Sequence, residues 1–311
     1  MDGADTLMAT KALDDTLVTV DKVTRRFRIS LWRRLMTVMA WIFVVSSFVF
    51  LAAMFLSIVG DVLVHAWPAL NLKLLTDITN GIGGGLKNAI EGSIIMSLGA
   101  LLLAAPIGIS AGIYLSEHGQ GGAGKILRFL SDVLVGVPSI VLGYVGYITM
   151  VIYLGWQFSV AAGVITLTVM LLPYIARSTE LALGNIPLAV REAGYGLGAG
   201  EGRVALQILL PGAAPAIMTG LFYAVALSMG ETAPLLYTAG WSNYMWTGHL
   251  TKEPIGYLTY VIWTFINEPF AESHMLAFAA AFLITAGVLI LILLGRWFLV
   301  RGQRRTGAYQ S

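Results

Sequence analysis

A glycine-rich segment from Gly119 to Lys125 has the residue types that could hold a phosphate group. Its pattern, Gly-x4-Gly-Lys, is that of a nucleotide-binding loop, in which backbone amides and the lysine contact phosphates. Such a loop continues with a Ser or Thr that binds magnesium, but this chain has Ile126 there. No strand pattern precedes the segment. We therefore interpret it as a short turn between two helices, and we expect any ATP to be bound by another chain.

Other catalytic patterns are equally weak. The four histidines, His65, His118, His249 and His274, are isolated in the sequence, so no metal-ligand cluster is predicted. The chain has no cysteine, which excludes disulfides, thiolate metal sites and cysteine nucleophiles. No Gly-x-Ser-x-Gly motif precedes a helix. The sequence predicts no catalytic residue, no metal and no cofactor in this chain.

The composition instead indicates a membrane protein. Hydrophobic residues make up 57% of the 311 residues and charged residues only 12%, against about 25% charged in soluble domains. The uncharged stretches that reach the roughly 20 residues of a bilayer-spanning helix are Leu35–Gly60, Gly92–Ser116, Val204–Gly230 and Met275–Gly295. A longer one, Val133–Ala176, is expected to make two spans that turn at Gly155-Trp156-Gln157. The prediction is an all-α domain of six transmembrane helices over residues 31–300.

The distribution of basic residues predicts the orientation. Of the 19 Lys and Arg residues, 16 fall on the side that holds both termini and only three, Lys73, Lys87 and Lys252, on the other. The positive-inside rule then places both termini in the cytoplasm. Residues 1–30 and 301–311 are expected to be cytoplasmic tails, and residues 231–274 a long outside connection. Within that connection, Pro254–Asn267 is expected to form an interfacial or re-entrant helix anchored by Tyr257, Tyr260 and Trp263.

A polar interruption separates the fourth and fifth predicted spans. Its distinctive residues, together with those that open the fifth span, are Glu192, Ala193, Gly194, Gly198, Ile208, Leu210 and Pro211. Pro187 can occupy the first turn of a helix, and the glycines from Gly194 onward are expected to end it. A short helix on the membrane surface can fit into a groove of a partner protein. Residues 185–203 are therefore predicted to connect this chain to a partner.

The full spacing, Glu-Ala-Gly-x3-Gly-x9-Ile-x-Leu-Pro, resembles the coupling loop of importer permeases of the ATP-binding-cassette class. The family's second alanine is Gly194 here. Further strings are similar to those of the PstA family of phosphate-importer permeases. They are Ala89-Ile-Glu-Gly-Ser93, Ala105-Pro-Ile-Gly108, Gly112-Ile-Tyr-Leu-Ser-Glu117, Gly136-Val-Pro-Ser-Ile-Val-Leu-Gly143, Arg191-Glu-Ala193 and Gly230-Glu-Thr-Ala-Pro-Leu-Leu236.

That resemblance implies the architecture of a type I importer permease in the bacterial cytoplasmic (inner) membrane. It also implies a heterodimer with a homologous permease, PstC, above two copies of an ATPase, PstB, which would hold ATP and magnesium. A phosphate-binding protein, PstS, would dock outside. The assembled complex would be an ATP-hydrolysing phosphate translocase, and no nucleic acid is expected as a partner.

The resemblance further implies that Arg177 belongs to the anion pathway, since an intramembrane arginine stays charged and bonds oxyanions. An arginine near the cytoplasmic end of its span could equally extend towards lipid headgroups. Glu231 could pair with an arginine of the partner permease or could be a solvated helix end. Many relatives have an arginine shortly before Gly-Glu-Thr, where this chain has Leu227-Ser228-Met229. The pathway is therefore expected to rely more on Arg177 and the partner.

Three alternative functions remain open at this point. The permease could carry another oxyanion, such as molybdate, sulfate or phosphonate. An autonomous secondary transporter would show inverted repeats and midplane charges in several spans, but the first, second and sixth predicted spans are uncharged. A membrane-embedded enzyme would need a polar cluster inside the spans, which the sequence does not indicate.

Overall fold

The computed structural model describes the backbone of residues 31–305 and the side chains of residues 31–302, and this region is almost wholly helical. Its helices are α1 (Leu31–Ala66), α2 (Leu72–Thr76), α3 (Lys87–His118), α4 (Gly122–Gly136), α5 (Ser139–Tyr153), α6 (Val160–Gly184), α7 (Leu188–Gly196), α8 (Glu201–Gly230), α9 (Ala233–Thr238), α10 (Leu258–Phe265) and α11 (Ala271–Arg305). The predicted tails, 1–30 and most of 301–311, lie outside the described residues.

Among the described residues, five helices are long and apolar enough to cross a membrane: α1, α3, α6, α8 and α11. A sixth span is the pair α4 and α5, which passes the same test together but is bent by 98°. The prediction of six spans is confirmed when this bent pair is counted as one. The membrane-length helices arise where uncharged runs leave every backbone group to be satisfied within the helix itself.

The third span differs from the prediction. It begins at Gly122 rather than Val133, and it bends at Val137-Pro138 instead of running straight. Val137 is extended, with φ −75° and ψ 126°, because a residue that precedes proline is disfavoured in the helical region. The connection to α6 does fall at the predicted Gly155-Trp156-Gln157, where Gly155 and Gln157 have positive φ values of 66° and 56°.

The chain divides into two compact units inside α1, at Asp61 and Val62. The described part of the first unit is one apolar helix that exposes large side chains around its circumference, including Trp41, Ile42, Phe50 and Leu51. A helix that is hydrophobic on all sides suits a lipid environment.

The centre of the second unit is the pair α3 and α6, which glycines bring close together. A Cβ added at Gly108 would lie 2.8 Å from Cβ of Ile175, and one at Gly112 would lie 2.5 Å from Cβ of Thr179. Small residues allow membrane helices to pack backbone against backbone. The resulting core has these buried side chains: Met96, Ala100, Ala104, Val160, Leu167, Leu171, Ile175, Ala224, Leu235, Ala239, Ile255 and Tyr257.

Residues 231–274 fold back onto this core through α9 and α10. The short helix predicted within Pro254–Asn267 is present as α10, but Tyr257 does not anchor it at an interface, because its side chain is only 1% exposed inside the core. Tyr260 stacks on Trp241 with ring centroids 4.5 Å apart, and Trp263 alone of the three expected anchors is largely exposed. Tyr257 and Tyr260 therefore pack against the protein, and only Trp263 lies where it could anchor the segment.

Candidate functional site

The predicted partner loop forms a separate helix, α7. Pro187 precedes it with φ −55° and ψ 139°, and the helix runs from Leu188 to Gly196. Gly198 then takes φ +79°, a left-handed conformation that favours glycine and reverses the chain towards α8. The expected helix and the expected glycine turn are both present. Gly194 was wrongly expected to end the helix, because it lies inside α7 and is buried.

Gly194 instead lets α7 pack against the first turns of α8. A Cβ at Gly194 would lie 3.0 Å from Cδ1 of Ile208 and 3.2 Å from Cγ2 of Val204. Ile208 and Leu210 are half-buried in the same cluster, which also contains Ala182 and Leu183 from the end of α6. The motif residues Gly194, Ile208 and Leu210 thus help to form one joint between α6, α7 and α8.

Pro211 lies shortly after a π-helical segment, Val204–Leu209. A proline inside a helix removes a hydrogen bond and its ring collides with the carbonyl four residues earlier. A π-helical turn is a recognised way for a helix to accommodate such a break. The Leu-Pro end of the motif therefore marks a local change of helical pitch at the base of α8.

The opposite side of α7 carries the remaining motif residues. Glu192 and Ala193 are exposed, as are the apolar side chains of Leu188, Tyr195 and Leu197, the last of them 89% exposed. A helix of nine residues with one buried side and one mixed apolar and acidic exposed side presents a surface suited to a protein partner.

Arg191 is a functional candidate that the sequence did not single out. Its Nη1 donates to Oε1 of Glu117 at 2.6 Å, while Nη2 donates to Oγ of Ser116 at 3.1 Å and to the carbonyl oxygen of Leu183 at 3.0 Å. The two charged side chains are only 16% and 13% exposed. Sequence reasoning counted Arg191 for orientation and for the Arg-Glu-Ala string alone, because Glu117 is 74 positions away.

An open cleft of about 1200 Å³ lies beside α7, between the end of α3, the start of α4 and the last turns of α6. Arg177 lines it, 55% exposed, and its Nη1 is 2.7 Å from Oε2 of Glu180. Glu180 also accepts a hydrogen bond from Nη2 of Arg128 at 2.5 Å. Two arginines thus share one carboxylate that is 12% exposed, which leaves a net positive charge at the cleft. Neither role that the sequence suggested for Arg177, in the anion pathway or extended towards lipid headgroups, included this pairing with Glu180.

Glu231 lies elsewhere, at the end of α8. It lines a small cavity of about 10 Å³ with Ser97, Leu167 and Tyr257, whereas Arg177 lines the cleft. The Ser139 side chain lies near the Glu231 carboxyl group, and the backbone carbonyl of Glu231 accepts a hydrogen bond from Thr259 Oγ1 at 2.8 Å. The two predicted pathway residues are therefore not brought together.

No site for a cofactor or metal emerges from the described side chains. Among them, no three His, Asp or Glu residues lie close enough to hold a metal ion. The Gly119–Lys125 segment joins α3 to α4 directly, without the strand that a nucleotide-binding loop follows.

A protein family model and a solved structure both match this chain. The family model for "Binding-protein-dependent transport system inner membrane component" matches residues 104–306. Among solved structures, the chain is similar to the MetNI methionine ABC transporter in an inward-facing conformation, with a TM-score of 0.51 and 19% identity over 73% of this chain and 96% of that one. At this identity the likeness concerns the fold.

Curated relatives narrow the class. "Phosphate transport system permease protein PstA 2" of Mycobacterium tuberculosis is 49% identical over 75% of this chain and 77% of its own length. "Phosphate transport system permease protein PstA" of Yersinia pestis is 39% identical over 85% of this chain and 90% of its own length. The chain therefore belongs to the binding-protein-dependent inner membrane component family, in its PstA branch.

Proposed function

We propose that this chain is the permease subunit of an ATP-driven phosphate importer and carries no catalytic site of its own. The observation that carries the proposal is α7, a short helix held against α8 at Gly194 and against α3 at Arg191, with Glu192 and Ala193 exposed on its other side. A cytoplasmic ATPase docked there could displace the spans to which α7 is attached. The names of the PstA relatives, which are phosphate transport permeases, support phosphate as the substrate.

The proposed orientation puts α7 and the open cleft in the cytoplasm. Arg128, Arg177, Arg191 and Arg203 all lie on this end of the second unit. The excess of basic residues on one side favours that side as cytoplasmic. Both termini are proposed to be cytoplasmic for the same reason, in the inner membrane of a bacterial cell.

The proposed assembly contains this chain, a homologous permease (PstC), two ATPase subunits (PstB) that bind ATP and magnesium, and a phosphate-binding protein (PstS). The phosphate path would lie between the two permeases. Within this chain we assign Arg177 and Glu231 to the path. Arg177 would attract the phosphate anion at the cleft, and Glu231 would fix the local charge near Ser139, at the opposite end of α8 from α7.

The test is reconstitution of the importer in vesicles, with ATP on the cytoplasmic side and the binding protein on the other. Labelled phosphate should accumulate only with ATP. Glu192→Lys, or Gly198→Val at the left-handed turn, should leave the chain inserted in the membrane. Either variant should uncouple ATP hydrolysis from phosphate uptake. Lys125→Glu, a charge reversal of equal size at an exposed position in the first turn of α4, is the matched control and should leave both activities near wild type.

Two results would count against the proposal. Unchanged phosphate uptake in Glu192→Lys would remove α7 from the mechanism. Accumulation of anions by this chain alone, without a nucleotide-hydrolysing partner, would favour a secondary transporter instead. A permease for molybdate, sulfate or phosphonate is distinguished by competition, since an excess of the true substrate is expected to suppress uptake of labelled phosphate.

A further inference from the structure

We propose that Arg191 is a positioning residue that fastens α7 directly to α3 and α6, so that motion of α7 reaches both spans without passing through α8. The inference rests on the proposed function, because it assigns a role within ATP-driven transport. Arg191 contacts Glu117 and Ser116 at the end of α3 and the Leu183 carbonyl in the last turn of α6.

The chemistry of the contact is specific to arginine. A planar guanidinium offers several N–H donors in fixed directions, whereas an ammonium group is a point charge on a flexible stem. Arg191 uses Nη1 for the carboxylate and Nη2 for a hydroxyl and a carbonyl. With 16% and 13% exposure, Arg191 and Glu117 are largely removed from water, so the pair is less screened than a surface ion pair.

Apart from residues 185–187, which link α7 to α6 along the chain, the other contacts of α7 run through α8. Gly194 packs on Val204 and Ile208, which belong to the first turns of α8. A contact between His118 and Glu201, 3.5 Å apart, also reaches from α3 to α8, but its side chains are 53% and 76% exposed. Exposed pairs of this kind contribute little. Arg191 is therefore a direct path from α7 to α3.

The two spans at the far end of this path are packed closely together. Close contacts at Gly108 with Ile175 and at Gly112 with Thr179 join α3 to α6 along their length. Further along, the same two helices supply Ser93, Met96 and Ser97 from α3 and Leu167 from α6 to the cavity that contains Glu231. A push on α7 that reaches α3 and α6 thus extends to the surroundings of Glu231.

The first experiment measures phosphate transported per ATP hydrolysed by the whole importer in vesicles. Arg191→Ala and Glu117→Gln should keep ATP hydrolysis but lower this ratio by about fivefold or more, the lower end of typical coupling between sites. Arg191→Lys keeps the charge but loses the planar set of N–H donors. Its ratio of phosphate transported to ATP hydrolysed should lie between those of the wild type and Arg191→Ala. Lys125→Ala removes one exposed basic group from the same end of the protein and should keep the wild-type ratio.

A charge swap tests whether the effect belongs to the pair. The double variant Arg191→Glu with Glu117→Arg restores an ion pair between α7 and α3 and should recover a large part of the lost ratio. Either single member of the swap should be as poorly coupled as Arg191→Ala, because two like charges then face each other.

A distance measurement separates positioning from simple destabilisation. The chain has no cysteine, so spin labels can be placed on cysteines introduced at Gln120, just after α3, and at Leu197, just after α7, both exposed. In Arg191→Ala the distribution of label distances should broaden, while in Lys125→Ala it should not.

The outcomes discriminate between this inference and the proposed function. If the wild-type importer accumulates phosphate and assembled Arg191→Ala keeps the wild-type ratio and a narrow distance distribution, the inference is wrong. If Arg191→Ala does not assemble, a wild-type ratio in Arg191→Lys overturns it. If wild-type vesicles accumulate no phosphate with ATP present, the proposed function fails, and the distance distribution still decides whether Arg191 fixes α7.

Discussion

Gly143 in α5 packs directly onto the backbone of Pro234 in α9, so that a Cβ at Gly143 would lie 2.5 Å from Cα of Pro234. The two residues belong to two of the strings that resemble the PstA family, Gly136–Gly143 and Gly230–Leu236. Ser139 and Glu231 from the same strings also lie near each other. Segments about ninety positions apart thus form one structural unit, which holds α9 against α5 beside Glu231.

The first prediction concerns this contact. Gly143→Ala should lower the free energy of unfolding by about 1–3 kcal/mol, as overpacking of a tight interior does, because the contacted atoms are backbone and cannot move aside. Thermal unfolding of the purified permease measures it. Gly136→Ala, for which no atom lies within 4 Å of the new Cβ, should unfold like the wild type. Equal unfolding of both variants would show that α5 and α9 separate easily.

The second prediction concerns Gly194. Gly194→Ala should be tolerated, because the new Cβ meets the movable end of Ile208 at 3.0 Å and alanine gains about 1 kcal/mol over glycine inside a helix. Gly194→Val adds two further methyl groups against Val204 and Ile208 and should destabilise the permease by about 1–3 kcal/mol.

The measurement is again thermal unfolding of the purified permease, with Gly196→Val as the control. Gly196 ends the same helix, and no atom lies within 4 Å of the Cβ that a substitution would add there, so it carries the same change in residue type without the contact. If Gly194→Val unfolds no earlier than Gly196→Val, the packing of α7 on α8 contributes little.

These contacts show where sequence reasoning succeeds and where it stops. Long uncharged runs predicted the membrane-length helices, because lipid requires helices with internally satisfied backbones. Pro187 and Gly198 predicted the start and the reversal of α7, since both act through local backbone geometry. Pro138 was visible in the sequence and accounts for the extended backbone of Val137, but the size of the bend, 98°, does not follow from that local rule.

The residue pairs that define the site could not be predicted in the same way. Arg191 and Glu117 are 74 positions apart, and Arg128 and Glu180 are 52 apart. One sequence carries no signal that joins such residues. Tyr257 shows the same limit. An aromatic residue beside a short apolar run fits the local sequence equally well at a membrane interface and in the protein core, where Tyr257 lies.

The third prediction separates anion binding by Arg177 from its ion pair with Glu180. Arg177→Ala and Arg128→Ala each leave Glu180 with one arginine partner, so any loss due to the ion pair alone should be similar in both. A hydrogen bond to a charged group contributes about 1.5–3 kcal/mol, which corresponds to about tenfold or more in rate. Arg177→Ala should therefore lower phosphate uptake by that further factor relative to Arg128→Ala.

Initial rates of labelled phosphate uptake by the assembled importer measure this difference. Co-purification of the ATPase with each variant controls for assembly. Equal rates for Arg177→Ala and Arg128→Ala would assign Arg177 to structure, as a partner of Glu180, and would take it out of the phosphate path.

The fourth prediction is a pH dependence in the connection between α9 and α10. Glu253 accepts hydrogen bonds from the backbone N–H and the hydroxyl of Thr247 at 2.9 and 2.7 Å, and from the backbone N–H of His249 at 3.2 Å. Desolvation raises the pKa of this carboxyl group, but these hydrogen bonds and the nearby His249 outweigh it and hold the pKa below its ordinary value. A lowered folded-state pKa stabilises the loop above the unfolded pKa, and this stabilisation is lost as pH falls through the folded pKa.

Hydrogen exchange of the Thr247 and His249 amides, corrected for the intrinsic rate at each pH, measures the effect. Protection in the wild type should be constant near neutral pH and should fall once the pH drops below the ordinary glutamate pKa of 4.5. Glu253→Gln has no carboxyl group to protonate, so its weaker protection should not change over the same range. Parallel curves for the two proteins would mean that the amides are held by the backbone of the loop, and that the carboxylate of Glu253 does not order it.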